Sequence, residues 1–190
     1  MINRITALAA VCLLAIAAPA LAQTAMSGQM GTTKNPMVGG APMYASKNIV
    51  QNAVNSKDHT TLVSLVKQAD LVTTLEGPGP FTVLAPTNEA FAKLPKATVD
   101  KVTSDPALLK KVLTYHVLAG RVTAADIAAK IKAGGGTAEL ATVEGQPITA
   151  KMDGSNIVLT GAGGGTAIVT IANVYQSNGV IHVIDGVLIP

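Results

Sequence analysis

The apolar pattern of this 190-residue chain changes its period once, at the glycine cluster 134–136. From about residue 44 to residue 118 the apolar residues mostly recur at the i, i+3, i+4 spacing of amphipathic helices, apart from the short strand FTVLA at 81–85. After the glycines the pattern alternates as in strands, with turn pairs such as Asn178-Gly179 between the alternating runs. Strands are predicted near 138–143, 147–152, 156–160, 167–174 and 180–184. Helices first and an antiparallel meander last predict an α+β domain with segregated layers.

The N-terminus has the three parts of a cleavable secretory signal. Arg4 supplies a positive charge, residues 5–18 form an almost continuous apolar run, and the small residues Ala20 and Ala22 stand where a signal peptidase reads the chain. We therefore predict that residues 1–22 are a signal peptide cut after Ala22. Because the apolar run is too short to span a bilayer comfortably, the protein is expected to be secreted or periplasmic and not membrane-embedded.

The remaining chain divides into a spacer and one domain. Residues 23–44 contain Gly, Pro and Met but few branched apolar residues, and they bury too little surface to offset chain entropy, which predicts a flexible tether. Residues 45–190 form the folded domain, which is long enough for a substantial core. Cys12 is the only cysteine and lies in the predicted signal peptide, so the mature chain can form neither a disulfide nor a thiolate metal site.

The charge of the predicted mature chain argues against one class of partner. Removal of Arg4 leaves 13 basic and 11 acidic residues, a net charge of only +2. Arg121 is then the sole arginine, and aromatic residues make up 3% of the chain, so phosphate contacts and base stacking are both poorly provided for. Nucleic-acid binding is not expected. No cofactor is expected either, because the glycine clusters 134–136 and 163–165 lack the Lys-Ser or Lys-Thr of a phosphate-binding loop.

Three histidines are the remaining source of acid–base or metal chemistry. We expect His59 to be an exposed capping residue at a helix boundary, His116 to end a helix, and His182 to lie in a strand that is buried on both faces. No two of them have the spacing of metal ligands on a helix, and no serine lies in a G-x-S-x-G elbow. Structural roles are therefore predicted, with neither a metal site nor a catalytic site.

Three segments carry a resemblance to a known family. They are GPFTVLAPTNEAF at 79–91, YHVL at 115–118 and NGVIHVIDGVLIP at 178–190, which we call the first box, the Tyr-His motif and the second box. Their order and separations resemble those of the fasciclin domain family. The resemblance implies a β-sandwich or wedge flanked by helices, with no cofactor, and an adhesion or matrix-binding module that is not an enzyme.

The residues of these motifs have readable physical roles. Thr87 or Asn88 is expected to cap a turn from which Phe91 packs inward. Tyr115 and His116 are rings with polar ends, and a buried polar end needs a partner. We predict that His116 hydrogen-bonds toward Thr87 or Asn88 and so locks the first box to the helical layer. The second box contributes three further structural residues: Asn178, Gly179 and His182.

A stretch just before the second box is the candidate partner contact: Asn173, Val174 and Tyr175. In animal members of the family a short Asp-Ile-containing stretch at this place resembles a motif that integrins recognise. Here Asn173 stands where the acid would be, and a cation-dependent receptor contact needs a carboxylate. The expected partner is therefore a surface polysaccharide, an envelope component or a host-surface protein, bound by a monomer.

Two functions of other classes stay open. One is a carrier, in which a pocket between the helical layer and the sheet holds a small apolar molecule. The other is a hydrolase, which requires His116 and His182 to come within hydrogen-bond reach of a serine in an open cleft.

Overall fold

The structure is a computed structural model and describes residues 35–190. The predicted signal peptide, its cut after Ala22 and residues 23–34 of the predicted tether lie outside the described residues. Those three interpretations stay predictions.

The helices precede the meander, as the period of the sequence predicts. Residues 35–190 contain seven α-helices: α1 Ile49–Ala53, α2 Thr60–Gln68, α3 Val72–Glu76, α4 Asn88–Ala92, α5 Lys96–Ser104, α6 Pro106–Tyr115 and α7 Ala124–Ala133. A 3₁₀ helix, Lys57–His59, leads into α2. Local sequence sets where the longer helices begin. Asp105 accepts hydrogen bonds from the first turn of α6, and Thr123 and Asp126 exchange hydrogen bonds at the start of α7.

Most of the strands follow the helices and form one sheet. The strands are β1 Met37–Val38, β2 Ala41–Pro42, β3 Phe81–Pro86, β4 Val117–Ala119, β5 Thr137–Ala141, β6 Pro147–Asp153, β7 Asn156–Thr160, β8 Thr166–Gln176 and β9 Gly179–Ile184. β1 and β2 make a separate hairpin, and the other seven are ordered β4-β3-β9-β8-β7-β6-β5. Strands β5 to β9 are the predicted antiparallel meander, whereas β3 and β9 run parallel.

Two hydrophobic cores lie on opposite faces of strands β3 and β9. The helix-side core is formed by α1 to α6, the hairpin and one sheet face, with Leu62, Leu109 and Val183 among its members. The meander core is enclosed by β5 to β9 and α7, with Ile127 and Leu159 among its members. Because side chains alternate along a strand, β3 and β9 serve both cores and are buried on both faces.

The α+β class is confirmed, whereas the expected sandwich or wedge stays a prediction. The seven strands form one sheet, and its end strands meet through a bridge between Leu118 and Thr142, so the sheet is nearly closed. The long strand β8 makes this possible, because irregularities at 169–171 and 171–174 bend it and let it pair with β7 at one end and β9 along the rest. Strand β4 was missed by the periodicity, since three residues are too few to show alternation.

The predicted C-terminal end of the tether, at residue 44, is wrong. Residues 37–43 form the β1–β2 hairpin and its continuation, and Val38 and Met43 are buried in the helix-side core. Asn35 also pairs with the backbone of Tyr175, donating to its carbonyl at 2.6 Å and accepting from its amide at 2.9 Å. Burial of a few apolar side chains is enough to order a segment that is otherwise poor in branched apolar residues. The composition of the segment does not predict this burial.

Candidate functional site

The two boxes lie side by side and begin at the same level of the sheet. β3 and β9 pair in parallel from Phe81 and Gly179 onward, and Phe81 N donates to Asn178 O at 3.1 Å. The backbones come so close that a Cβ on Gly179 would lie 2.0 Å from Phe81 O, and one on Gly79 would lie 2.0 Å from Asn178 O. Both glycines are therefore required by contact between the boxes, independently of any ligand.

Asn178 joins the box junction to the helices. Its side-chain oxygen accepts from Ile49 N at the start of α1 (3.1 Å), and its nitrogen donates to Leu75 O at 2.7 Å and Gly77 O at 3.3 Å, at the end of α3. These contacts satisfy helix-terminal groups that have no partner within their own helices. Both ends of the half-buried Asn178 side chain are therefore hydrogen-bonded within the protein.

The first box ends in the predicted cap. Thr87 is the residue that caps α4, where its hydroxyl accepts from Ala90 N, and the half-buried Phe91 packs against the helix-side core. Asn88 points to the preceding helices: its oxygen accepts from Thr61 N at 3.1 Å and its nitrogen donates to Lys57 O at 2.8 Å. Asn88 therefore connects the first box to the helical layer through Thr61 and Lys57, without His116.

The predicted partner of His116 is wrong. Its Nδ1–H donates to Val112 O at 2.8 Å, and its Nε2 accepts from Leu188 N at 3.0 Å, so neither Thr87 nor Asn88 is its partner. The ring ties the end of α6 to the segment that follows β9, because both of its nitrogens are used within the protein interior. Burial lowers the pKa of His116 to about 4, which keeps the ring neutral.

Tyr115 faces the other core. Its side chain is fully buried in the meander core, where its hydroxyl donates to Pro147 O at 3.1 Å and accepts from Ala162 N at 2.9 Å. The two adjacent residues of the Tyr-His motif therefore contact different cores. Tyr115 is buried in the meander core, and His116 borders the helix-side core.

His182 and Asn173 form a second buried contact. Asn173 has a φ of 59° at the irregularity of β8, and its backbone N–H donates to His182 Nδ1 at 3.3 Å. His182 Nε2–H donates to Val122 O at 2.9 Å, and Asn173 Oδ1 accepts from Ala124 N in the first turn of α7. Burial lowers the pKa of His182, so this ring also stays neutral.

The exposed position expected for His59 is wrong. The 3₁₀ turn lies against the β1–β2 hairpin, and His59 is only 3% exposed. It occupies the N-cap position of α2, but its side chain makes no capping hydrogen bond. Ser56 Oγ lies 2.8 Å from His59 Nδ1. Burial lowers the pKa of His59. Sequence spacing gave no sign of this, because the hairpin that buries the ring looked like part of the tether.

The three candidate partner-contact residues differ in their access to solvent. Val174 is fully buried, so the direct partner contact expected for it is wrong. The Asn173 side chain is engaged by α7. Tyr175 is half-buried, as Asn173 is, and an outside contact at Tyr175 stays a prediction.

The histidines do not assemble with a serine in an open cleft. His116 and His182 each bind only backbone groups in the part of the chain that the structure describes, and the Ser56–His59 pair is 2% and 3% exposed. Residues 35–190 also contain no cluster of three His, Cys, Asp or Glu side chains fit to hold a metal ion. No helix in that range is both long and apolar enough to cross a bilayer.

Two small apolar cavities border the helix-side core. One, of about 50 Å³, lies between α1, α2, α3 and the sheet, and the other, of about 20 Å³, lies between α2, α5 and α6. They share Leu62, Leu113 and His116 as walls. Each holds no more than a few water molecules, far below the volume of a typical ligand pocket.

A larger concavity opens on the surface at the box junction. It has a volume of about 500 Å³ and is lined by Pro78, Gly79, Pro80, Arg121, Ser177 and Asn178. Arg121, the sole arginine of the predicted mature chain, lies beside the two boxes, which its position in the sequence does not indicate. The connection could not be read from spacing, because residues 78, 121 and 177 come from three distant parts of the chain.

The comparisons with known proteins agree with these motifs. The family model of the fasciclin domain matches residues 57–190. Protein sll1483 of Synechocystis sp. is 38% identical over 98% of this chain and 96% of its own length. This chain belongs to the fasciclin domain family.

Two further relatives lie at greater distance. The cell surface glycolipoprotein MPB83 of Mycobacterium bovis is 34% identical over 77% of this chain, which covers 62% of that protein. Among solved structures, a FAS1 domain pair from the insect cell adhesion molecule fasciclin I has a TM-score of 0.47 and 27% identity, covering 66% of this chain and 40% of the other.

Proposed function

We propose that this protein is a non-enzymatic adhesion or surface-binding module that works outside the cytoplasm. The observation that carries the proposal is the direction of the motif side chains. The polar groups of the motif side chains form hydrogen bonds with helix ends, turns and backbone of the protein itself. These side chains are Thr87, Asn88, His116, Asn178 and His182. The motifs thus build a scaffold, and binding is left to the exposed surface that the scaffold holds in place.

Two other observations support this function. The relative MPB83 is a cell surface glycolipoprotein by name, which suits a domain that acts at an envelope. The N-terminal 22 residues of this chain also read as an export signal. We further propose that the expected partner is a surface polysaccharide, an envelope component or a host-surface protein.

A binding array tests the function. The mature chain, starting at Gln23, is labelled and applied to glycans, envelope fractions and matrix proteins, with heat-unfolded protein as the control. Retention of the folded protein on one partner class, and not of the unfolded protein, is expected. A blank array, or equal retention of folded and unfolded protein, would count against an adhesion function.

The carrier remains a second candidate because a small apolar cavity lies between the helical layer and the sheet. Its volume of about 50 Å³ requires the short helices α1 and α3 to move apart before a ligand of ordinary size can enter. Native mass spectrometry of the secreted protein separates the two functions. A stable copurifying mass favours the carrier, and a bare polypeptide mass favours adhesion.

A further inference from the structure

The surface concavity at the box junction has the features of a ligand site. It is an open depression of about 500 Å³, and the Gly79–Asn178 contact fixes its base. Two proline rings, Pro78 and Pro80, supply rigid apolar surface. Arg121 and the exposed Ser177 supply polar groups at its rim.

The charge at this site is positive and is not neutralised within the domain. Arg121 is exposed, and its one internal contact is a marginal hydrogen bond from Nη2 to Gln176 O at 3.5 Å. The ion pairs of residues 35–190 join Lys93 to Asp185 and Lys111 to Glu144, and neither includes Arg121. A guanidinium group carries five N–H donors in a planar fork that fits a carboxylate, so most of its binding capacity remains available.

The backbone around the concavity is already occupied. Phe81 N donates to Asn178 O, Ser177 N donates to Lys47 O, and Gly120 N donates to Pro80 O. The side-chain amide of Asn178 is likewise hydrogen-bonded to α1 and α3. An extended peptide is bound chiefly through main-chain hydrogen bonds, which these groups cannot offer. A sugar ring needs no such ladder, because apolar C–H faces, hydroxyl groups and one carboxylate match the prolines, Ser177 and Arg121.

We infer that this concavity, with Arg121 as its anionic-group anchor, binds uronic-acid units of an acidic polysaccharide. The inference rests on the proposed surface-binding function and names its partner class and its site. One carboxylate held by one arginine gives weak binding per sugar unit. The repeating carboxylates of the polymer offer each protein molecule many equivalent binding positions, so retention on the polymer rises with their number.

The experiment uses the mature chain from Gln23 and a short oligogalacturonate as the probe. Backbone amide resonances are followed by NMR during the titration. We expect shifts concentrated at Gly79, Gly120 and Ser177, and none with the methyl ester of the same oligomer, which lacks the charge. Shifts located elsewhere, none at all, or equal shifts with the ester would overturn the inference.

Variants assign the effect to the guanidinium. Arg121→Gln is expected to weaken binding about tenfold or more, and Arg121→Lys by less, because the ammonium keeps the charge but loses the fork. Lys151→Gln, an exposed cation on β6, is the matched control and should bind like wild type. Unchanged melting temperatures verify that all variants fold. Equal affinity of wild type and Arg121→Gln would overturn the site.

Two further measurements distinguish a failure of this inference from a failure of the proposed function. A poly-glutamate peptide that bound as tightly as the oligogalacturonate, and with the same dependence on Arg121, would overturn the polysaccharide and replace it with an acidic protein. If wild type and Arg121→Gln were retained equally on the binding array, the inference would fall while the proposed function stood. A blank array for both proteins would instead remove the proposed function.

Discussion

The two cores of this domain are closed to different degrees. Eight of the fifteen buried residues of the meander core have no accessible surface, against two of twenty-one in the helix-side core. The meander core is surrounded by strands that are hydrogen-bonded to their neighbours, and Tyr115 fills its end. The helix-side core is covered by short segments, of which α1, α3 and α4 have five residues each.

The two cores differ because the segments that cover them are stabilised in different ways. Helices of five residues are too short to be stable alone, so they depend on packing and on single side chains such as Asn178. The larger of the two cavities that share Leu62 lies under α1 and α3, and Phe91 of α4 lines the smaller one. A rigid half and a more adaptable half are therefore joined along β3 and β9, where the first and second boxes pair.

The largest expected effect comes from removing a leucine from each core. Leu159→Ala should lower the free energy of unfolding by about 4 kcal/mol, because hydrogen-bonded strands cannot collapse into the space. Leu62→Ala should cost about 2 kcal/mol, because it adds to existing cavities beneath short helices that can close over them. Urea unfolding at neutral pH measures both. Val143→Ala, at a side chain that is 48% exposed, is the control, and an equal or reversed order would contradict the comparison.

A somewhat smaller effect is expected from pH, through the ring at the border of the helix-side core. The pKa of His116 falls from 6.5 to about 4 on folding, so the unfolded chain binds more protons between these values. Stability should be complete above pH 6.5 and lost as pH falls, by about 3 kcal/mol at pH 4. Burial lowers the pKa of His59 and His182 as well, which adds loss of the same sign.

Two variants isolate the contribution of His116. His116→Gln keeps an acceptor for Leu188 N but cannot titrate, so its urea midpoint should fall less steeply between pH 7 and pH 4. His116→Ala removes both hydrogen bonds and should cost about 2 kcal/mol already at pH 7. A pH slope equal to wild type in His116→Gln would contradict the titration argument. An unchanged melting temperature in His116→Ala would remove the structural role.

The hairpin tests whether the helix-side core extends beyond the predicted domain boundary. A chain starting at Tyr44 loses Val38 and Met43, which are 3% and 6% exposed, together with the pairing of Asn35 with Tyr175. It should be about 2 kcal/mol less stable than a chain starting at Asn35. Urea unfolding of the two chains measures the difference, and equal stability would restore residues 35–43 to the tether.

The sequence predicts best where one residue pattern determines one element. Alternation, turn chemistry and apolar neighbours predict the strand positions after residue 134, a cap at Thr87 or Asn88, and the burial of His182. The structure contains these strands, the cap at Thr87 and the buried His182. These features are local. A single stretch of chain contains all the information that they need.

Features that depend on distant partners were missed. His116 pairs with Leu188, seventy-two residues away, and His59 is buried by a hairpin from a stretch without a clear apolar pattern. The concavity around Arg121 likewise combines three separate segments. Tertiary contacts of this kind are chosen by the whole fold, so the box residues could be named in advance but their partners could not.

The smallest effect is expected on the surface where the two halves meet, at the ion pair between Lys93 and Asp185. Lys93 Nζ lies 3.1 Å from Asp185 Oδ2, but its side chain is 61% exposed, so water and salt screen the attraction. Lys93→Gln should therefore lower stability by about 0.5 kcal/mol or less. Asp185→Ala should cost more, because Asp185 Oδ1 also accepts from Ile168 N at 2.7 Å and so ties the segment after β9 to β8. Thermal unfolding at low and high salt measures both variants. Equal losses would mean that the ion pair, and not the backbone contact, joins the two halves at this point.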